Sequence, residues 1–248
     1  MEWKIGCSGF SYKEWKGIFY PTTLPQRKWF EYYCEWFNTV ELNVTFYRFP
    51  RVADLAGWYK RSPQNFVFAV KAPRVITHLK RFKDTGNDLQ LFYNTVRDGL
   101  GDKLGCILFQ LHPAIIYSES MLSRILESLD YAFVNVIEFR HESWWRNDVI
   151  QAFRQHHVCW CGISYPQLPE DVYHTAPVVY YRFHGVPQLY HSSYDAAFMK
   201  QIGDRIKNFQ GVKQAYLYFN NTASGNAVTN AGNFQDMFSA GQNLFPVS

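Results

Sequence analysis

Short apolar, β-branched and aromatic runs recur along the whole chain: Lys4 to Cys7, Thr39 to Leu42, Phe66 to Lys71, Gly105 to Gln110, Val136 to Phe139, Cys159 to Ile163, Val179 to Arg182 and Ala215 to Phe219. Runs this short, set apart by turn residues or helix start signals, predict eight strands. Between most of them apolar positions take up helical spacing. Pro25 opens Gln26 to Phe37, Val52 to Arg61 follows Pro50, and Asn87 to Leu100 stops at Gly101. Ser118 precedes Met121 to Leu129, Asn147 precedes Asp148 to His156, and Ser193 precedes Ala196 to Phe209. Asn226 precedes a last segment, Ala227 to Ser239, which Gly232 interrupts. Strand starts fall 20 to 39 residues apart, close to the roughly 30 residues of a βα unit. Eight such units predict one (β/α)8 TIM-like barrel spanning residues 1–248. Pro166, Pro169 and Pro177 lie between the sixth and seventh strands, so the helix there is expected to be a turn or missing. An open doubly wound sheet is the alternative, but Gly6-Cys7-Ser8-Gly9 does not supply the G-x-G-x-x-G phosphate turn of that fold.

Parallel barrel strands are covered on both faces and should be apolar throughout. Here they turn polar at their C-terminal ends. In Thr39-Val40-Glu41-Leu42-Asn43 the aliphatic positions suit the helix layer, which turns Glu41 and Asn43 to the barrel axis. The same parity places Lys71 with Ala69, Gln110 and His112 with Leu108, and Glu138 and Arg140 with Val136. It also places Arg182 and His184 with Tyr180, and Asn220 with Tyr218. Six strands thus deliver polar groups to one mouth, the end of a barrel where ligands bind. His141 has the opposite parity and is read as a loop residue.

Charge changes the picture locally rather than globally. Twenty-five basic against 21 acidic residues give a net +4, too little to announce a nucleic-acid or membrane partner. At the mouth, however, Lys71, Arg140 and Arg182 face only Glu41 and Glu138: either they form a structural ion-pair network, or the one cation left uncompensated favours an anionic ligand. From Lys71 to Lys83 the chain also carries Arg74, His78, Lys80 and Arg81 with no acid, either a solvated face or a phosphate contact. Tyr12 and Trp15 in the first loop and Trp144 in the fifth bring aromatic rings to the same side, for stacking or for packing under the loops. Of the residues, 19% are aromatic, enough for a core and a lined rim.

Metal chemistry finds little support, because no His-x-His or His-Glu-x-x-His pattern occurs. No metal site and no cofactor are expected. Five cysteines without a Cys-x-x-Cys pair read as free thiols, and with no signal sequence or membrane span in view a cytoplasmic location is expected.

Taken together the motifs resemble the YecE-like family, domain of unknown function 72. The resemblance rests on Ile5 to Tyr12 with Trp15 and Tyr20-Pro21, Phe37 to Asn43 with Thr45-Phe46-Tyr47, and Phe68 to Pro73. It continues through Phe109 to Pro113, Glu138 to His141 with Ser143-Trp144, Tyr181 to Gly185, Tyr218 to Asn221 and Gly225 to Ala227. Thr222-Ala223-Ser224 departs from the pattern. The resemblance implies a TIM-like barrel with its motifs at the strand ends and no established activity. Similarity of shape to phosphate-handling barrels such as endonuclease IV and sugar-phosphate isomerases is analogy at the level of fold, and the missing metal ligands count against endonuclease chemistry.

The leading expectation is an enzyme, a hydrolase or lyase, acting on a phosphate-bearing small molecule or nucleic acid. Lys71, Arg140 and Arg182 bind the anion, with phosphate or sulfate as possible occupants. Glu41 or Glu138 with His184 supplies acid/base chemistry, while Asn43, Gln110, His112 and Asn220 orient the substrate beside Tyr12, Trp15 and Trp144. A glycosidase using Glu41 and Glu138 is a second expectation, which an arginine wedged between the two carboxylates defeats. A non-catalytic nucleic-acid or ligand-binding module is the third.

Overall fold

In the computed structural model, which describes residues 1–239, eight strands form one parallel sheet in the order β1-β8-β7-β6-β5-β4-β3-β2. They are β1 (Glu2–Cys7), β2 (Thr39–Leu42), β3 (Val67–Lys71), β4 (Leu104–Gln110), β5 (Asn135–Glu138), β6 (Cys159–Ser164), β7 (Val178–Phe183) and β8 (Gln214–Phe219). The helices are α1 (Trp29–Trp36), α2 (Val44–Tyr47), α3 (Val52–Arg61), α4 (Gly86–Leu100), α5 (Glu119–Ser128), α6 (Asn147–Gln155), α7 (Ala196–Lys207) and α8 (Asn226–Phe238). This is the expected (β/α)8 barrel. The proline-bearing stretch between β6 and β7 contains no helix, as its composition predicts.

Local differences have local causes. The residues Gln26–Lys28 form a single 3-10 turn, so the first long helix starts at Trp29. Ser118 caps α5 by accepting from the Met121 amide at 3.2 Å, but α7 is capped by Asp195, two residues beyond the expected Ser193. Asp195 directly precedes the helix and accepts from the Phe198 amide at 2.7 Å. Gly232 does not break α8, because a single glycine costs only about 1 kcal/mol in a helix packed along its length. The one-turn α2 and a π-helical turn at Val75–Leu79 were not foreseen.

The barrel closes between β1 and β2 without a continuous ladder. One bridge pairs Ser8 with Glu41, and the Gly9 amide donates to the Glu41 carbonyl at 2.9 Å. Below it the Tyr33 hydroxyl, from α1, accepts from the Cys7 amide at 2.8 Å and donates to the Thr39 carbonyl at 3.0 Å, stitching the two strands together. Gly6 permits this approach: a Cβ there would lie 2.2 Å from the Thr39 carbonyl oxygen.

Strand alternation then separates two cores. Outward residues such as Ile5, Val40, Phe68, Phe109, Ile137, Trp160, Tyr181 and Phe219 pack beneath the helices. Inward ones, among them Ala69, Cys106, Cys159 and Cys161, are small and leave room for Tyr180, Tyr216 and Tyr218. Cys159 and Cys161 share the inner face, and all five cysteines are buried free thiols. Among the described residues, no helix is long and apolar enough to cross a membrane.

Candidate functional site at the C-terminal mouth of the barrel

The inward parity carries Glu41, Lys71, Glu138, Arg140, Arg182 and His184 into one buried cluster at the strand ends. Arg182 lies at its centre. Its Nη2 donates to Glu41 Oε1 at 2.7 Å and its Nη1 to Glu138 Oε2 at 2.5 Å, so one guanidinium bridges carboxylates from opposite sides of the barrel. The second oxygen of Glu41 accepts from the Tyr180 hydroxyl at 2.6 Å. The second oxygen of Glu138 accepts from Arg140 Nε and lies 3.3 Å from His184 Nε2. Burial would raise the Glu138 carboxyl, but Arg140 and Arg182 outweigh it and hold the group well below the usual carboxylate range.

His184 is wholly buried, and burial together with the Arg140 and Arg182 charges keeps it neutral, well below the usual histidine range. Its Nε2 lies 3.1 Å from Arg140 Nη2, and the Asn220 amide nitrogen lies 2.9 Å from its Nδ1. These contacts recast the expected acid/base set. Glu41, Glu138 and His184 are brought together, each buried and already hydrogen-bonded to other side chains. The two-carboxylate glycosidase fails by its own criterion, because Arg182 occupies the space between Glu41 and Glu138.

Above this sealed layer the mouth is more open. Lys71 donates from Nζ to Gln110 Oε1 at 2.6 Å and sits 4.2 Å from the centre of the Phe46 ring. Phe46 is held there by α2, where Thr45 donates to the Lys71 carbonyl at 2.5 Å. Among the described residues no carboxylate pairs with Lys71 within ion-pair distance. Burial first, then the Arg182 charge, pushes its amine down to about 7.

His78, presented by the π-helical turn, packs edge-on against both Phe46 and His112, at 4.9 and 5.2 Å between ring centres. Burial and the His112 ring push His78 down to about 4. The Ala114 amide donates to His112 Nδ1 at 3.0 Å, which leaves Nε2 to carry the ring proton. On the other side, the Arg140 guanidinium lies over the Tyr165 ring at 4.3 Å.

Among the described residues, three buried polar atoms near the strand ends have no hydrogen-bond partner: Arg182 Nε, Ser8 Oγ and Asn43 Oδ1. Among the described residues, no group of three or more His, Cys, Asp or Glu is arranged to hold a metal ion.

The loop aromatics are a correction. Trp15 and Trp144 are both 0% exposed and cannot line the mouth. Trp15 donates to the Thr222 carbonyl at 2.8 Å, tying the first loop to the last. Trp144 donates to the Ile115 carbonyl at 2.8 Å and stacks on Phe139. Tyr12 is half-buried, its hydroxyl donating to the Ser8 carbonyl at 2.5 Å. Indole rings this large gain more from burial under loops than from a wet rim. In the basic segment, Lys80 pairs with Asp88 at 2.6 Å, while Arg74, Arg81 and Lys83 are exposed.

Sequence reasoning did not assign Tyr180, Tyr165, Phe46 or Ser8 to the site, and read His78 only as part of the basic segment from Lys71 to Lys83. Tyr180 was within reach, since it shares the parity of Arg182. Phe46 and His78 lie in irregular turns where alternation gives no direction.

Comparison with known proteins agrees with this architecture. A family model described as protein of unknown function DUF72 matches residues 4–247. The crystal structure of a DUF72 family protein from Thermotoga maritima is similar at 28% identity and a TM-score of 0.85, over 96% of this chain and 99% of that one. A DUF72 family protein from Enterococcus faecalis shares the fold at 20% identity and a TM-score of 0.83, over 99% of both chains. No curated protein matches the chain.

Proposed function

The chain belongs to the DUF72 family, proteins of unknown function also called YecE-like, and on that premise we propose that it is an enzyme acting on an anionic, phosphate-bearing small molecule at the barrel mouth. One observation carries this reading. The two inward carboxylates are taken by Arg140 and Arg182, which leaves the buried Lys71 amine with no carboxylate partner among the described residues when it is protonated. A buried charge without a partner is costly, and an anion supplied from outside offsets that cost. Among the described residues, the buried Arg182 Nε, Ser8 Oγ and Asn43 Oδ1, all near the C-terminal ends of the strands, have no hydrogen-bond partner and leave bonding capacity unused there.

In this reading Lys71 and Arg140 meet the anion, while Gln110, Asn220 and the His112 Nε2–H orient the rest of the substrate. Lys71, with an amine near 7, is the acid/base group suited to neutral pH. Exposed Arg74, Arg81 and Lys83, together with the 73%-exposed Tyr47, give a second reading, in which the phosphate belongs to a nucleic acid.

The test is scanning fluorimetry of the wild type and Lys71→Met against phosphorylated metabolites and short oligonucleotides. A metabolite at a hundredfold its Kd should raise the Tm of the wild type by about 5–10 °C and leave the variant unmoved. Stabilisation by oligonucleotides alone, lost in salt, selects the nucleic-acid reading. No shift with any phosphate compound overturns both.

A further inference from the structure

We propose that Lys71 is a covalent centre, whose ε-amine condenses with an aldehyde or ketone carbon of the bound substrate to form an iminium. The proposal deepens the reading above, since it names the substrate as a compound bearing both an anionic group and a carbonyl.

Geometry is its main support. An amine used only as a charge would be met by a carboxylate, and both inward carboxylates are instead taken by arginines. Among the described residues Lys71 Nζ makes one polar contact, with the Gln110 side-chain oxygen at 2.6 Å. That acceptor takes one N–H and leaves the nitrogen's lone pair free in the neutral state. The Phe46 ring covers one side, held in place through the Thr45 hydrogen bond to the Lys71 carbonyl. The position is thus fixed from both ends of the residue.

The charged and titratable groups that act on the amine come from several elements. Arg182 from β7 and Arg140 beyond β5 disfavour the protonated form, and Glu41 and Glu138 favour it. His78 meets the Phe46 ring edge-on, and His112 in turn packs edge-on against His78. Burial and Arg182 lead, bringing the amine to about 7, so that roughly half is neutral at pH 7, against well under 1% for an ordinary lysine. Lowered lysine amines of this kind, desolvated and beside another cation, are those that form Schiff bases.

The step balances without a co-reactant. The neutral amine adds to the carbonyl carbon, forming a C–N bond and a carbinolamine. The C–O bond then breaks and the oxygen leaves as water. Starting from the ammonium, two of its three protons leave with that water and the third stays on the iminium nitrogen. The positive charge is conserved, so attraction for the substrate's anionic group survives the reaction. The His112 Nε2–H is a donor suited to polarising the carbonyl oxygen.

The experiment is reductive trapping on the full chain. Dihydroxyacetone phosphate, neutral dihydroxyacetone and pyruvate are each incubated with and without sodium borohydride, followed by peptide mass analysis. The expected result is a borohydride-dependent adduct on Lys71, on the order of a thousandfold above that of an ordinary lysine amine at pH 7 from the difference in neutral fraction. Its yield should rise through pH 7, and it should vanish in Lys71→Arg, a variant whose Tm shows whether it remains folded. Glycerol 3-phosphate, which has no carbonyl, serves as the separate probe of anion binding. No enrichment at Lys71 with any of the three carbonyl compounds overturns the iminium, and stabilisation by glycerol 3-phosphate then leaves the anion site standing. Trapping at Lys71 by neutral dihydroxyacetone as well as by its phosphate, with no effect of glycerol 3-phosphate, supports the iminium and removes the anion site.

Discussion

Replacing Arg182 by methionine should unfold the barrel from its centre rather than merely weaken a ligand. The side chain is buried and bridges Glu41 Oε1 at 2.7 Å and Glu138 Oε2 at 2.5 Å. Methionine keeps most of the aliphatic stem, so the cavity is small and the loss is mainly electrostatic. Glu41 is left with only the Tyr180 hydroxyl, and Glu138 with Arg140 and the neutral His184. Removing one member of a buried ion pair costs about 3–5 kcal/mol, which for a chain of this size is a Tm drop of roughly 6–20 °C.

The loss should depend on pH in a defined direction. In the wild type Glu138 titrates well below its ordinary value; its stabilising contribution is therefore complete above the unfolded carboxyl pKa, about 4.3, and lost as the pH falls through the folded value. In the variant burial is less opposed, so the carboxyl is expected to rise, and acidification relieves the cost. The stability gap should be widest at pH 7–8 and narrow towards pH 4–5. Urea unfolding followed by tryptophan fluorescence at pH 5 and 8 measures it. Adding Glu41→Gln and Glu138→Gln to Arg182→Met should recover much of the loss, since the stranded charges are gone. A loss below about 1 kcal/mol, or an equal loss at both pH values, refutes the argument that Arg182 neutralises a buried pair.

Two further outcomes test the neighbours of this centre. Tyr180→Phe removes the 2.6 Å hydrogen bond to Glu41 and should cost about 1.5–3 kcal/mol, measured by the same unfolding experiment; a neutral result would mean that Glu41 finds another donor. Trp144→Phe strands the Ile115 carbonyl and should lower stability by about 1–3 kcal/mol while leaving the affinity of any mouth ligand within twofold; a large affinity change without a stability change would return Trp144 to the binding site.

Alternation made most of the site legible. Glu41, Lys71, Gln110, Glu138 and Arg182 lie towards the C-terminal ends of apolar strands, and Arg140, His184 and Asn220 one or two residues past them, where the period of two still holds direction. Pairing was not legible, because it is set across the barrel. Glu41 and Arg182 are 141 positions apart, and nothing along the chain says that Arg182 takes both carboxylates while Lys71 takes neither. Trp15 and Trp144 failed for a related reason: loop position says which end of the barrel a ring occupies but not its depth. The Tyr33 stitch at the β1–β2 seam is tertiary in the same sense, since the helical pattern of α1 marks Tyr33 only as apolar-facing.

The division of the mouth into a closed layer and an open one explains why these residue types occur together. Two carboxylates alone at this depth would be protonated or expelled, and three cations alone would repel one another. With Arg182 between Glu41 and Glu138, and Arg140 against Glu138, the charges cancel within a neutral, rigid base. That base keeps one positive group, Arg182, near enough to Lys71 to depress its amine, while the carboxylates that would restore it are already engaged. The sealed network and the perturbed lysine are therefore one device: the first holds opposite charges away from the second. A substitution that frees Glu138, such as Arg140→Gln, should raise the Lys71 amine towards its ordinary value even though Arg140 makes no hydrogen bond to it. Competitive acetylation of the lysines as a function of pH reads that shift directly, and an unchanged Lys71 profile would show that burial alone sets the amine.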